Sequence, residues 1–455
     1  MSRRPVLAGV VCLLAFAVPG YATSKEATHS AACATAPTIS GTPYVGNRLT
    51  SSTPPASSRA TYSYRWKAGG ASIPDAGKAR WTVRNTLFGQ RITVSVRVND
   101  GGRTCTSPAS SPTAPVSHDP VRTFGVALSG NSILYPDRND FAIQDRRLAQ
   151  VRQLGARWIR FDLNWEQVQH GGPQRFNWTV FDRLALKARK AGLSMLLTIL
   201  QTPPWANGGR GNFVPPSDPG SIAPFCAKAA LHFARLGAKV AFEVWNEPNI
   251  ASMWRPAPDA AAYTRLLRAC HDAIKKTGLS TFVVSGGLSP VGGYDTGNGT
   301  RDVNQVRFLE QMFAAGAAGS FDALGYHPYA FPASAASTDP NAAWPQMAAV
   351  PHHNIRQVMA DNHYVTPIWA TEFGMPSAGQ RGSEVYTEDW QRQDIERAAS
   401  LWRTYPWAGK FFYYSLVDGQ DGGSPDSFFR HFGLVRADYS HKPAFDAYRS
   451  AITSG

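Results

Sequence analysis

Two glutamates in this chain stand where apolar runs stop. Glu247 closes the run in "AFEVWNEPNI", residues 241–250, and Glu372 closes the run in "IWATEFG", residues 368–374. Each is followed at once by residues that break a strand, Pro248 in the first case and Phe373-Gly374 in the second. A carboxylate at the end of a buried strand is costly unless it is paired or reacts. Two carboxylates that face each other across one pocket can divide a reaction between them. One, protonated, gives its proton to a leaving oxygen, while the other, ionised, attacks carbon or activates water. Cleavage of a glycosidic bond needs that division. Burial or nearby negative charge raises the first carboxyl, and cations or hydrogen bonds lower the second.

The elements around these residues must bring them together, since they lie 125 positions apart. From residue 124 onward, strand-like runs alternate with amphipathic helical stretches. The strands are "FGVAL", "WIRFDLNW", "SMLLTIL", "AFEVWNE", "TFVVSGG", "FDALGYH", "IWATEFG" and "KFFYYSL". Eight strands, each followed by a helix, predict an α/β fold, a (β/α)8 TIM barrel over residues 124–455. The absence of a Gly-rich phosphate loop after the first strand speaks against a doubly wound open sheet. In a barrel the reacting groups sit at the C-terminal strand ends. Those ends read Asn164-Trp165-Glu166, Gln201, Trp205, Asn246-Glu247, His327, Tyr329, Glu372 and Asp418. Glu247 falls on the fourth strand and Glu372 on the seventh, across the mouth from one another. Period-two alternation turns Arg160, Asp162 and Asn164 to the barrel axis and Ile159, Phe161 and Leu163 to the helices. The same alternation puts Glu243, Trp245 and Glu247 on one face. Glu243, below the mouth, reads as a structural partner of Arg160. Trp165, Trp205 and Trp254 offer flat apolar surfaces to sugar rings.

The N-terminal part differs in character. Residues 1–22 combine Arg3 and Arg4, an apolar stretch and a small-residue cleavage site, the pattern of a secretory leader. Residues 33–117 alternate with period two in "YSYRWK" and "RITVSVRV" and predict a small all-β sandwich. A proline-rich linker, "SSPTAPVSHDP", leads out of it, with residues 118–123 as the joint. Export leaves Cys33, Cys105, Cys226 and Cys270, and an oxidising compartment favours two disulfides among them. The division of the chain pairs Cys33 with Cys105 and Cys226 with Cys270. The formal net charge is +14 over 455 residues. The basic residues are scattered and form no nucleic-acid motif, so an anionic cell envelope is the expected partner rather than DNA or RNA. No metal-ligand spacing appears, and His352-His353 read as loop residues.

The chain resembles clan A retaining glycoside hydrolases, family 39-like or family 5-like. "WNEPN" on the fourth strand and "ATEFG" on the seventh look like that clan's acid/base and nucleophile motifs. "TPPWA" and "GYHPY" are similar to its third and sixth strand regions. The module resembles immunoglobulin-like units of secreted actinobacterial proteins. The resemblance implies Glu247 as general acid/base and Glu372 as nucleophile. Arg160 would support Glu372, Asn246 would bind the sugar 2-hydroxyl, and His327 and Tyr329 would line the sugar subsite. It also implies a β-linked glycan or glycoside as substrate. The many loops and aromatics point to a polysaccharide and endo-action. Two carboxylates and water require no metal or organic cofactor, and a monomer is expected. The chain departs from the clan at the end of strand eight, where Tyr414 stands in place of a tryptophan. A glycan-binding or envelope-docking protein that kept the barrel but not the chemistry is the alternative expectation.

Overall fold

The computed structural model describes residues 34–128, 142–292, 301–348, 353–381, 383–419 and 427–453. The chain divides into two compact units, residues 1–117 and 118–455. The expected leader and Cys33, and with it the Cys33–Cys105 pairing, lie outside the described residues.

The first unit is a two-layer sandwich. One layer pairs β1 (Ile39–Ser40), β2 (Arg48–Ser51) and β5 (Arg80–Thr82); the other pairs β4 (Ala71–Ser72), β3 (Thr61–Ala68), β6 (Ile92–Asp100) and β7 (Arg103–Thr106). All pairings are antiparallel. Leu49 and Trp81 from one layer meet Trp66, Ile92 and Val94 from the other in a single core. The proline-rich segment is not a free tether. Ser110, Thr113 and Val116 donate backbone N–H groups to Val94, Ile92 and Gln90, so it runs bound along β6. Asp119 then caps a helical turn, Pro120–Thr123, in the second unit.

The second unit is the barrel. Its strands are β8 (Phe124–Ala127), β9 (Trp158–Asn164), β10 (Ser194–Leu200), β11 (Val240–Asn246), β12 (Phe282–Gly287), β13 (Leu324–Tyr326), β14 (Ile368–Phe373) and, after the hairpin β15 (Gln380–Arg381) and β16 (Glu384–Val385), β17 (Ala408–Tyr413). They form one parallel eight-stranded sheet. Ser285 N–H to Ala323 O at 3.1 Å and Leu288 N–H to Gly325 O at 3.2 Å close β12 onto β13. A helix follows each strand: α1 (Ala142–Leu154), α2 (Thr179–Lys190), α3 (Ala223–Arg235), α4 (Ala260–Lys276), α5 (Gln305–Ala314), α6 (Ile355–Asp361), α7 (Glu388–Thr404) and α8 (Pro443–Thr453).

Helix α4 shows how sequence sets these elements. Asp259 caps it by accepting from the Ala262 N–H at 2.8 Å, and Lys275 and Lys276 face the negative end of its dipole. Tyr263, Leu266, Leu267, Cys270 and Ile274 recur at helical spacing, and all are buried against the barrel. Cys270 bonds Cys226 of α3, Cα to Cα 5.4 Å, across 44 positions. Closing a loop of that length stabilises the folded state by about 4 kcal/mol in the chain-entropy account. The double Cys226→Ser, Cys270→Ser variant is expected to lose about that much in urea unfolding. An unchanged midpoint would remove the disulfide from the stabilising interactions.

Inside the barrel the side chains stack in layers. Trp158, Leu196, Ala241, Phe282, Val284, Ala323, Trp369 and Phe412 form an apolar floor. Two residues further along β9, β10 and β11 stand Arg160, Thr198 and Glu243, all buried. As expected from alternation, Ile159, Phe161 and Leu163 join the outer core instead.

Candidate active site

The polar layer above the floor is organised by Arg160. Its Nε donates to Glu243 Oε2 at 2.7 Å, its Nη1 to Glu372 Oε1 at 2.5 Å and its Nη2 to Asn246 Oδ1 at 2.7 Å. The Tyr329 hydroxyl donates to the other oxygen of Glu372, also at 2.7 Å. His327 Nδ1 lies 3.0 Å from Glu247 Oε1 and 3.7 Å from Glu372 Oε2. Six of the eight residues expected at the site, Arg160, Asn246, Glu247, His327, Tyr329 and Glu372, thus meet in one cluster. Glu247 and Glu372 reach solvent, 16% and 12% exposed, as does the half-buried Tyr329.

Fourth-strand geometry departs from strict alternation. Trp245 and Glu247 have φ of 73° and 45°, the left-handed region. At Trp245 the turn sends the indole outward, where it packs on Trp254 with centroids 5.2 Å apart and donates to Met253 O. Asn246 and Glu247 then both reach the interior. The expectation that Glu243, Trp245 and Glu247 share a face is therefore corrected at Trp245. Each strained residue costs on the order of 1–3 kcal/mol. Part of the support comes from Asn249, which is fully buried. Its amide donates to Ser289 O and Val303 O and accepts from Ser289 N–H, lacing the loop after β12 to the Glu247 turn.

His327 needs space that only glycine leaves. A Cβ on Gly287 would collide with His327 Nε2 and Thr371 Oγ1. Gly287 O also accepts the Glu247 N–H at 3.0 Å. One position on β12 therefore sets both the imidazole and the Glu247 backbone.

Electrostatics separate the groups. Burial alone would raise the Glu372 carboxyl, but the charges of His327 and Arg160 and the Tyr329 and Arg160 hydrogen bonds outweigh it and leave it below the usual range. Burial would lower His327, yet the Glu372 charge and the Glu247 contact outweigh it and leave the imidazole above its ordinary range. Burial, reinforced by the Glu372 charge, keeps Tyr329 protonated well beyond its ordinary range. Asp162 is pushed up to about 6 by burial, against the pull of Arg160. Tyr329→Phe removes a charge-assisted hydrogen bond of roughly 1.5–3 kcal/mol. It is expected to move the Glu372 titration to higher pH, followed by carboxyl-carbon NMR; an unmoved titration would mean that Arg160 and His327 suffice.

The cluster opens into a cleft of about 990 Å³. Its walls include Ser289 and Val291 after β12, Phe331 and Asn341 after β13, and Tyr414, Phe429 and Phe432 after β17. The expected tryptophan platforms are not there. Trp165 is fully buried, donates to Gln169 Oε1 and is covered by Trp205 and Phe225. Trp254 is 2% exposed beneath Trp245. Trp205 is half-buried on Trp165, with its N–H on Gln169 O, and is not among the cleft residues. Flat apolar surface comes from Tyr414 and the phenylalanines instead. Phe429 is 51% exposed and stacks on Phe428 at 4.2 Å. The sequence signal was "SFFRHF", three phenylalanines with no helical or strand period beside a Gly/Asp/Ser-rich loop. Other strand-end residues have local partners, Glu166 in contact with His170 and Asp418 paired with Lys442, and the loop residue His353 contacts Glu310.

Solved structures of family 39 and family 5 glycoside hydrolases share this parallel eight-stranded barrel. One is a family 39 glycoside hydrolase from the gut symbiont Bacteroides cellulosilyticus WH2, with TM-score 0.53 and 22% identity over 91% of this chain and 82% of that one. A GH39 β-xylosidase from Caulobacter crescentus matches with TM-score 0.51 and 21% identity, over 73% and 71% of the two chains. GH5_18 from Streptomyces cattleya in complex with GlcNAc matches with TM-score 0.55 and 18% identity, over 72% and 79%. No family model and no curated protein matches the chain. The small β-sandwich is present, but no comparison identifies it as immunoglobulin-like.

Proposed function

We propose that this protein is an exported retaining glycoside hydrolase that cleaves a β-linked polysaccharide internally. The observation that carries the reading is the placement of Glu247 and Glu372 at 3.0 and 3.7 Å from one imidazole nitrogen. Two oxygens so held lie closer than nearly all of the roughly 6.5–9.5 Å separations of inverting enzymes, and fit the about 5–5.5 Å of retaining ones. Glu372, ionised, attacks the anomeric carbon and forms a glycosyl ester, while Glu247 gives its proton to the departing oxygen. Water then loses a proton to Glu247 and attacks the same carbon, which frees Glu372. Asn246, held by Arg160, meets the 2-hydroxyl, and His327 and Tyr329 line the sugar site. No metal or organic cofactor takes part in these steps.

The cleft volume supports an extended substrate, since it falls at the top of the roughly 300–1,000 Å³ range of ligand pockets. Export rests on the leader sequence, and an anionic envelope as partner on the basic charge. The test is a panel of β-linked polysaccharides digested by the secreted protein. Proton NMR of the first anomer and the size of the first products are the readouts. Retained configuration with medium-length products supports the reading; inversion of the anomer would exclude it, and monosaccharides alone would exclude internal cleavage.

A further inference from the structure

We propose that Glu243 is a positioning residue that holds Glu372 and Glu247 in mutual register, through Arg160 on one side and Gly287 on the other. The inference rests on the glycosidase reading of those two glutamates. Glu243 has no exposed surface and lies below the cleft, so it does not touch substrate. A carboxylate there is costly to bury, and apolar side chains fill the layer beneath it. Its oxygens are instead fully engaged. Oε2 accepts from Arg160 Nε at 2.7 Å and from Thr198 Oγ1 at 2.7 Å, and Oε1 accepts from the Gly287 N–H at 3.1 Å.

Each contact leads to a reacting group. The guanidinium is a rigid planar fork, so fixing Nε fixes where Nη1 points, and Nη1 holds Glu372. Gly287 is pinned by the same carboxylate through its N–H and receives the Glu247 N–H on its carbonyl. Glu243 also shares the Arg160 charge with Glu372. An arginine bonded to Glu372 alone would stabilise that carboxylate further and make it a weaker nucleophile. Shared between two carboxylates, it orients Glu372 with less stabilisation.

Glu243→Gln separates these effects. It keeps an acceptor for Arg160 and Thr198, turns an amide N–H2 toward the Gly287 N–H and removes one negative charge. Asp162, Glu247, His327, Tyr329 and Arg160 remain around Glu372. The variant is expected to fold and to lose roughly 100-fold in kcat, as small misplacements near reacting groups do, with KM little changed. The acid limb of kcat/KM should move to lower pH, because Glu372 ionises more readily without its negative neighbour. Carbon-13 titration of labelled glutamate side chains should show the same move without any substrate. Glu243→Asp restores the charge with a shorter reach, so the acid limb returns while kcat recovers only in part. A folded Glu243→Gln with wild-type kcat, limb and titration would overturn the proposal and leave Glu243 as a strut. If the wild type turns over nothing, the glycosidase reading fails by itself. The titration then still decides on Glu243, with an unmoved Glu372 counting against it.

Discussion

Glu372→Gln is expected to lower kcat by roughly 10⁴–10⁶-fold, the scale seen when a nucleophile is removed from a site whose other parts survive. Glutamine fills the same volume and keeps an oxygen for Arg160 or Tyr329, so the fold and sugar binding should persist. What is lost is the ability to form the glycosyl ester. The wild-type pH profile gives a second reading of the same group. Glu372 works ionised, so activity rises with pH as its proton leaves. Its carboxyl is held below the ordinary range by His327, Arg160 and Tyr329 against the opposing effect of burial. The acid limb of kcat/KM should therefore lie below the usual glutamate value of about 4.3. Turnover by the glutamine variant within tenfold of wild type would require another nucleophile.

Glu247→Ala should be most damaging where the departing group is a poor one. On a natural glycan, loss of a general acid is expected to cost roughly 10²–10⁴-fold in kcat. On a dinitrophenyl glycoside the first step needs no proton, so the intermediate forms and accumulates, and its slow hydrolysis limits the rate. Azide then replaces water without needing a general base. It should restore the rate and give a β-glycosyl azide, which NMR identifies. An equal loss on both substrates, with no azide product, would move the acid role away from Glu247. Because Glu247 shares the His327 nitrogen with Glu372, the variant also tests whether that imidazole stays in place.

The sequence carried the barrel and its reacting groups for physical reasons. Runs of Val, Ile, Leu and Phe at regular intervals, parted by amphipathic helices, leave few folds open, and strand order then decides which ends face one another. Arg160 was legible as a charge turned to the barrel axis, which needs a partner, and Asn246, His327 and Tyr329 as polar residues at strand ends whose roles the family resemblance supplied. Trp165 and Trp254 were misplaced because an aromatic near a strand end has two equal uses, platform or packing. Only three-dimensional neighbours such as Phe225 and Trp245 decide between them. The outward turn of Trp245 depends on a left-handed residue, and nothing in tryptophan advertises one. The contribution of Phe429 was hidden because loop walls have no period to read.

The left-handed residues of β11 bear on how variants of this protein should be chosen. Tryptophan and glutamate are poor occupants of that backbone region, whereas glycine and asparagine enter it at little cost. Libraries ranked by heat resistance alone would therefore favour replacing Glu247, and would enrich robust proteins that have given up their chemistry, whereas at 245 the buried indole packed on Trp254 outweighs the strain. Selection for thermostability should keep this turn outside the randomised set.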